Sequence, residues 1–205
     1  MKKNLKQDRY GDNMKIGIDV DGVLTDIYNY QIEKGQQFFN KTKGKNTLSV
    51  MEMFDVTSEE EKKFWTKYIW EYCLKVKARE GASEALQKLK DEGNEIYIIT
   101  SRVHTTKKNV LGLIFRKMLV FWLKENKIPY DKIIYCNDKE SDLEKYMACK
   151  NLGIDYMIDD DLININSIKT VSKAICFSQP YNSELEDYRV EKINDFEELD
   201  KKIRR

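Results

Sequence analysis

The chain has 205 residues, of which 41% are hydrophobic and 35% charged, with a formal net charge of +1. That length suits one α/β domain with a modest insertion. The near-zero charge offers no global field for a nucleic acid polymer or a membrane surface, and no apolar run approaches the roughly 20 residues needed to span a bilayer. The opening MKKNLKQDRYGDN is basic without an apolar core. It reads as a flexible tail over residues 1–13 rather than a secretory signal. Four scattered cysteines, Cys73, Cys136, Cys149 and Cys176, form no CxxC pair; reduced thiols in a cytoplasm are expected.

In chain order, Lys15 to Asp19 predicts a first strand. Asp26 to Asn40 reads as a helix with Ile27, Tyr30, Phe38 and Phe39 as buried positions, followed by a Lys/Gly/Asn-rich loop to Asn46. Thr57 or Ser58 before three glutamates resembles a helix start with a capping box. That helix is expected to run to about Leu74. Phe64, Tyr68 and Tyr72 recur at steps of four, as do Trp65, Ile69 and Cys73, giving a wide aromatic face. A further amphipathic helix begins at Gly81–Ala82 and stops near Gly93. Glu95 to Thr100 is a second strand, and Thr105 to Asn126 a long apolar helix, covered by its neighbours or forming a dimer contact. Lys132 to Cys136 is a third strand, Ser141 to Asn151 a helix, and Asp155 to Ile158 a fourth strand running into Asp159, Asp160 and Asp161. Ile163 to Val171 is helical, Ala174 to Phe177 a last strand, and the chain from Asp195 a surface helix. Strands alternating with helices predict a parallel, doubly covered sheet. Roughly 80 residues separate Asp19 from Thr100, far more than one crossover needs. Residues 25–79 are therefore expected to form a helical cap on a core made of 14–24 and 80–205.

The chemistry concentrates in IGIDVDGVLTD, from Ile16 to Asp26. An apolar strand stops abruptly at two carboxylates, Asp19 and Asp21, and in an open α/β sheet ligands bind at that end. A hard cation such as Mg²⁺ takes oxygen ligands and keeps several waters. Asp19, a nearby backbone carbonyl and one aspartate of the 159–161 run can supply part of an octahedron. Thr100 and Ser101 offer hydroxyls and N–H groups to an anion, and a lysine from another loop would offset charge gained in a transition state.

Each segment has a plainer reading. DxDG alone reads equally well as an Asp turn, and the acidic run as a helix N-terminus. Together, DVDGVLTD, IITSR and MIDDD behind three apolar strands point to one site. The single histidine, His104, excludes a His-pair zinc site and argues against a Ser-His-Asp mechanism; it reads as a surface residue at a helix start. The cysteines lack a base partner and read as core. No glycine-rich dinucleotide or P-loop motif is present. The aromatic helix is most simply core of the cap, and more sharply a stacking surface for a planar ring.

These segments resemble the four motifs of the haloacid dehalogenase superfamily of phosphatases: DVDGVLTD the first, TSR the second, a lysine before the fourth strand the third, and IDDD the fourth. DGVLTD, the Phe64–Trp65 pair, EGASEALQKLKDEG and KNLGIDYMIDD resemble its deoxyribonucleotidase-like branch and bacterial nucleotidases, over about Met14 to Pro180. The chain departs from that branch near Lys77–Glu80, where a proline would precede the Gly-Ala pair. The resemblance implies a three-layer Rossmann-like core and a Mg²⁺-dependent phosphomonoesterase working through an aspartyl-phosphate. Asp19 would be the nucleophile and Asp21 the general acid and base. Mg²⁺ would be held by Asp19, the backbone carbonyl of Asp21, and Asp160, and phosphate by Thr100, Ser101 and a lysine. Lys145 and Lys139 compete for that last role; the spacing of this branch selects Lys145. The implied substrate is a small phosphate monoester, a nucleoside monophosphate first and a phosphosugar second. A non-catalytic phosphate-binding module is the alternative of a different class.

Overall fold

A computed structural model describes residues 13–203. Among these residues, six parallel strands run in the order β3-β2-β1-β4-β5-β6. They are β1 Lys15–Ile18, β2 Glu95–Thr100, β3 Lys132–Tyr135, β4 Tyr156–Asp159, β5 Lys173–Phe177 and β6 Glu191–Ile193. β1 sits at the centre, pairing Ile16 with Ile96 on one side and with Tyr156 on the other. The chain steps outward from β1 to β2 and β3 and then crosses to β4 on the other side, so the carboxyl ends of β1 and β4 open a crevice in which a ligand can sit. Ile16 and Ile18 are fully buried, with Ile98 and Ile158 beside them in one core cluster. Tyr97, Ile99, Met157 and Cys176 face a second cluster under α6 (Ser141–Leu152) and α7 (Leu162–Ile168). Both faces of the sheet are covered, as its apolar strands require.

Three helices intervene between β1 and α4 (Ala82–Asp91): α1 Ile27–Phe39, α2 Val50–Phe54 and α3 Ser58–Lys75. They form their own apolar cluster and share it with Phe115 and Met118 of α5 (Val110–Glu125). α3 begins at a complete capping box: Thr57 accepts Glu60 N–H, and the Glu60 carboxylate accepts Thr57 N–H at 2.9 Å. Phe64, Tyr68, Tyr72 and Cys73 are buried along it. The two segments that join this insert to the sheet are tied together. Thr25 bridges Ala78, Arg79 N–H donates to Leu24 O at 2.8 Å, and the Arg79 guanidinium meets Asp26 at 3.2 Å.

Several sequence expectations need correction. α2 was not anticipated; five residues give too short a window for periodicity, and its signal is the Ser49 cap on Glu52 N–H. α5 starts five residues later than expected, because Asn109 caps Gly112 N–H. His104 therefore lies in a turn, at φ 68°, rather than at a helix start. β6 was missed, its three residues carrying two charges. The C-terminal helix, α8 (Leu199–Ile203), is not a surface helix, since Leu199 and Ile203 are buried in the main core. α5 itself is two-sided: Phe115, Leu119 and Trp122 are buried, while Val110, Leu113 and Phe121 remain exposed.

Candidate active site

β1 delivers Asp19 into the crevice, where its N–H donates to Ile158 O at 3.0 Å and stitches it to β4. β4 ends in Asp159, followed by Asp160. Carboxylate oxygens of Asp19, Asp159 and Asp160 lie within 4.8 Å of one another, all buried. Lys145 reaches them from α6, with Nζ 3.1 Å from Asp19 Oδ2 and 2.7 Å from Asp159 Oδ2. Lys139 is exposed in the turn before α6. Of the two lysines, Lys145 is the one the fold brings to Asp19.

The three carboxylates are not equivalent. Asp159 Oδ1 accepts the N–H groups of Asp160 and Asp161 at 3.0 Å and the Asn164 amide at 3.1 Å, while Oδ2 takes Lys145. Both of its oxygens are committed. Among the described residues, Asp19 Oδ1 and Asp160 Oδ1 are buried without a partner, and the other Asp160 oxygen accepts the Tyr181 hydroxyl. Gly22 makes room for this: a Cβ there would lie 2.1 Å from Asp160 Oδ2, and its φ of 93° already disfavours any side chain. Asp161, by contrast, caps α7 through Ile163 N–H.

Burial raises the Asp19 carboxyl to about 7; Lys145 opposes the rise, and Asp159 and Asp21 add to it. Burial, with Asp159 and Asp19 beside it, lifts Asp160 well above the usual carboxylate range. Burial works against the Lys145 ammonium, but Asp159 and Asp19 outweigh it and hold the lysine charged. Ionised together, the three carboxylates exceed the one ammonium by two negative charges, and without a cation the raised carboxyls hold protons instead. Two unpartnered buried oxygens and a deficit of two charges fit a divalent hard cation. Asp19 and Asp160 offer the open oxygens, and Asp159 orients Lys145 and the turn.

Asp21 turns away from this cluster. Its carboxylate meets Arg102 Nη2 at 2.5 Å and the Tyr72 hydroxyl at 2.5 Å. Ser101 lines the cavity over the acidic cluster, its hydroxyl 2.7 Å from that of Ser141, the first residue of α6. Thr100 is fully buried, does not line this cavity, and accepts Arg102 N–H at 3.2 Å. Asp21 and Ile27 also border a second cavity of about 430 Å³ between α3 and the loop after β2, walled by Trp65, Ile69, Tyr72, Arg102, Val103 and His104. Arg102, Ser141 and Tyr181 escaped sequence reading. Arg102 was visible only as the third letter of TSR, and the others stand in no motif.

A parallel sheet of this order with a helical insert after β1 is the fold of haloacid dehalogenase-like phosphatases. The structure of a Haemophilus somnus protein described as a predicted phosphoglycolate phosphatase superposes with a TM-score of 0.61 at 13% identity, covering 95% of this chain and 99% of that one. A predicted phosphatase from Clostridium acetobutylicum gives 0.59 at 18%, covering 94% and 99%. More narrowly, residues 13–204 match the family model of the 5′ nucleotidase, deoxy (pyrimidine), cytosolic type C proteins, and the chain belongs to that family. A Bacillus cereus protein provisionally named a nucleotidase is 31% identical over 72% of this chain and 76% of its own length. A Clostridium acetobutylicum nucleotidase is 24% identical over 83% of each. The chain is a hydrolase of phosphate monoesters. Among the described residues, no helix is long and apolar enough to cross a membrane.

Proposed function

We propose that the protein is a Mg²⁺-dependent nucleotidase that hydrolyses nucleoside monophosphates through an aspartyl-phosphate on Asp19. The observation that carries this reading is the placing of Asp19, with an unpartnered oxygen and Lys145 at 3.1 Å, at the floor of a cavity beside an apolar, aromatic-walled one. An Asp19 oxygen attacks phosphorus as the bond to the leaving oxygen breaks, and Asp21 gives that oxygen its proton. Asp21 then takes a proton from water as the water oxygen displaces Asp19 from phosphorus, returning Asp19 as the carboxylate and Asp21 as the protonated acid and releasing phosphate. Asp19, Asp160 and the backbone carbonyl of Asp21 would hold Mg²⁺, which would supply Lewis-acid neutralisation of the phosphoryl charge. Lys145, Ser101 and the start of α6 at Ser141 hold the phosphoryl oxygens. Thr100 supports that loop from beneath through Arg102 N–H.

Residues 25–79 act as the cap, and the cavity under α3 takes the leaving group. Trp65, Ile69 and Ile27 suit a flat, apolar base. The family match and the nucleotidase relatives support the same substrate class. The cytoplasm, where nucleotides and Mg²⁺ are abundant, is the compartment that fits.

Phosphate release from a panel of nucleoside monophosphates and sugar phosphates, with Mg²⁺ and with EDTA, tests this. Metal-dependent release concentrated on nucleotides is the expected result. Release confined to sugar phosphates would overturn the substrate assignment, and release undiminished by EDTA would overturn the cation.

A further inference from the structure

The two carboxylates after β1 are held by different means. Asp19 joins the acidic cluster, whereas Asp21 is gripped from outside it. Arg102 Nη2 and the Tyr72 hydroxyl both donate to Asp21 Oδ1, each at 2.5 Å. Oδ2 is left with one longer contact, Arg102 Nε at 3.2 Å, which also lies 3.1 Å from Oδ1. The grip is rigid. Arg102 is 3% exposed, and its guanidinium lies 5.3 Å from the centroid of the Tyr72 ring and 5.7 Å from that of Trp122. Those rings flank a cation whose Nη1 has no hydrogen-bond partner among the described residues. The Tyr72 hydroxyl also lies 2.7 Å from Thr25 Oγ1, on the segment entering the insert. Arg102 stands in the loop after β2, while Tyr72 arrives with α3. All three groups border the cavity under α3.

We propose that Tyr72 and Arg102 are positioning residues for leaving-group protonation. They fix Asp21 through Oδ1 and present Oδ2 to the leaving oxygen, and the acid is complete only when α3 sits against the sheet. The inference rests on the role given to Asp21 above. In the first step the Asp19–phosphorus bond forms, the bond from phosphorus to the leaving oxygen breaks, and the proton moves from Asp21 Oδ2 to that oxygen. The products are an alcohol and an Asp21 carboxylate, which the Arg102 cation and the Tyr72 hydroxyl stabilise.

The test separates need for a proton from fit to the cavity. Nucleoside 5′-monophosphates and glycerol phosphate both expel a basic alkoxide; p-nitrophenyl phosphate carries a ring but expels a weakly basic phenolate. For Tyr72→Phe, kcat/KM is expected to fall about 10-fold or more on both alkyl esters and to stay within about 3-fold on the nitrophenyl ester. Arg102→Lys, which keeps the charge but loses the fork, should show the same pattern and gives the answer if Tyr72→Phe folds poorly. Equal losses on all three esters would overturn the proposal. So would a loss following the ring, shared by nucleotide and nitrophenyl ester but spared in glycerol phosphate, which would make Tyr72 merely a cavity wall. Should the wild-type enzyme cleave glycerol and nitrophenyl phosphates but no nucleotide, the substrate reading fails, and those two esters still decide this proposal.

Discussion

The floor and the roof of the site are built on opposite principles. The floor is a cluster of charges buried in the sheet's crevice: Asp19, Asp159, Asp160 and Lys145. The roof is aromatic and apolar, with Trp65, Ile69 and Tyr72 on a capped helix. Buried charge is costly and is retained where chemistry requires it, whereas apolar wall is cheap to vary. In the proposed reaction the floor sets the chemistry and the roof the leaving group.

Breaking the floor should abolish turnover of every ester. Asp19→Asn is expected to lower kcat on the order of 10⁴-fold on nucleotide and nitrophenyl phosphate alike, measured as phosphate release. Lys145→Met leaves Asp159 and Asp19 without their cation, and should cost about 3–5 kcal/mol of stability in denaturant titration.

Removing the cation tests the charge deficit. Between its ordinary value of 3.8 and about 7, the Asp19 carboxyl holds a proton in the folded protein that the unfolded chain has released. Folding takes up a proton there, so stability without metal should fall as pH rises through that window. Thermal midpoints in EDTA should drop from pH 5 to pH 8, and Mg²⁺ should recover most of the loss at pH 8; a midpoint indifferent to Mg²⁺ would contradict the site.

Changes in the roof should discriminate between substrates. Trp65→Ala is expected to raise KM for nucleotides about tenfold, roughly 1.4 kcal/mol, with glycerol phosphate little affected. Thr57→Ala removes only the cap of α3; it should cost about 1 kcal/mol of stability and leave kcat unchanged.

The floor was far more legible in the sequence than the roof. Asp19 and Asp160 end apolar strands, and β-strand order carries such residues to one crevice. Lys145 was readable from its spacing before β4, although only the fold separates it from Lys139. The roof's aromatic face was visible as a repeat of four, but not which rings would line a cavity: Phe64 is core, whereas Trp65 borders the cavity. That depends on how α3 meets the loop after β2, a contact between distant segments. Arg102 was hidden for the same reason, since its partner Asp21 lies 81 residues away. β6 was hidden because an edge strand of three residues needs no apolar run of its own.

The central claim is that Asp19 carries the phosphoryl group. Acid quenching during turnover of a nucleoside monophosphate, followed by borohydride reduction and peptide mass spectrometry, reads this directly. Conversion of residue 19 to homoserine, absent without substrate, is the predicted result. Continued phosphate release with residue 19 unchanged, or with the label at another aspartate, would contradict it.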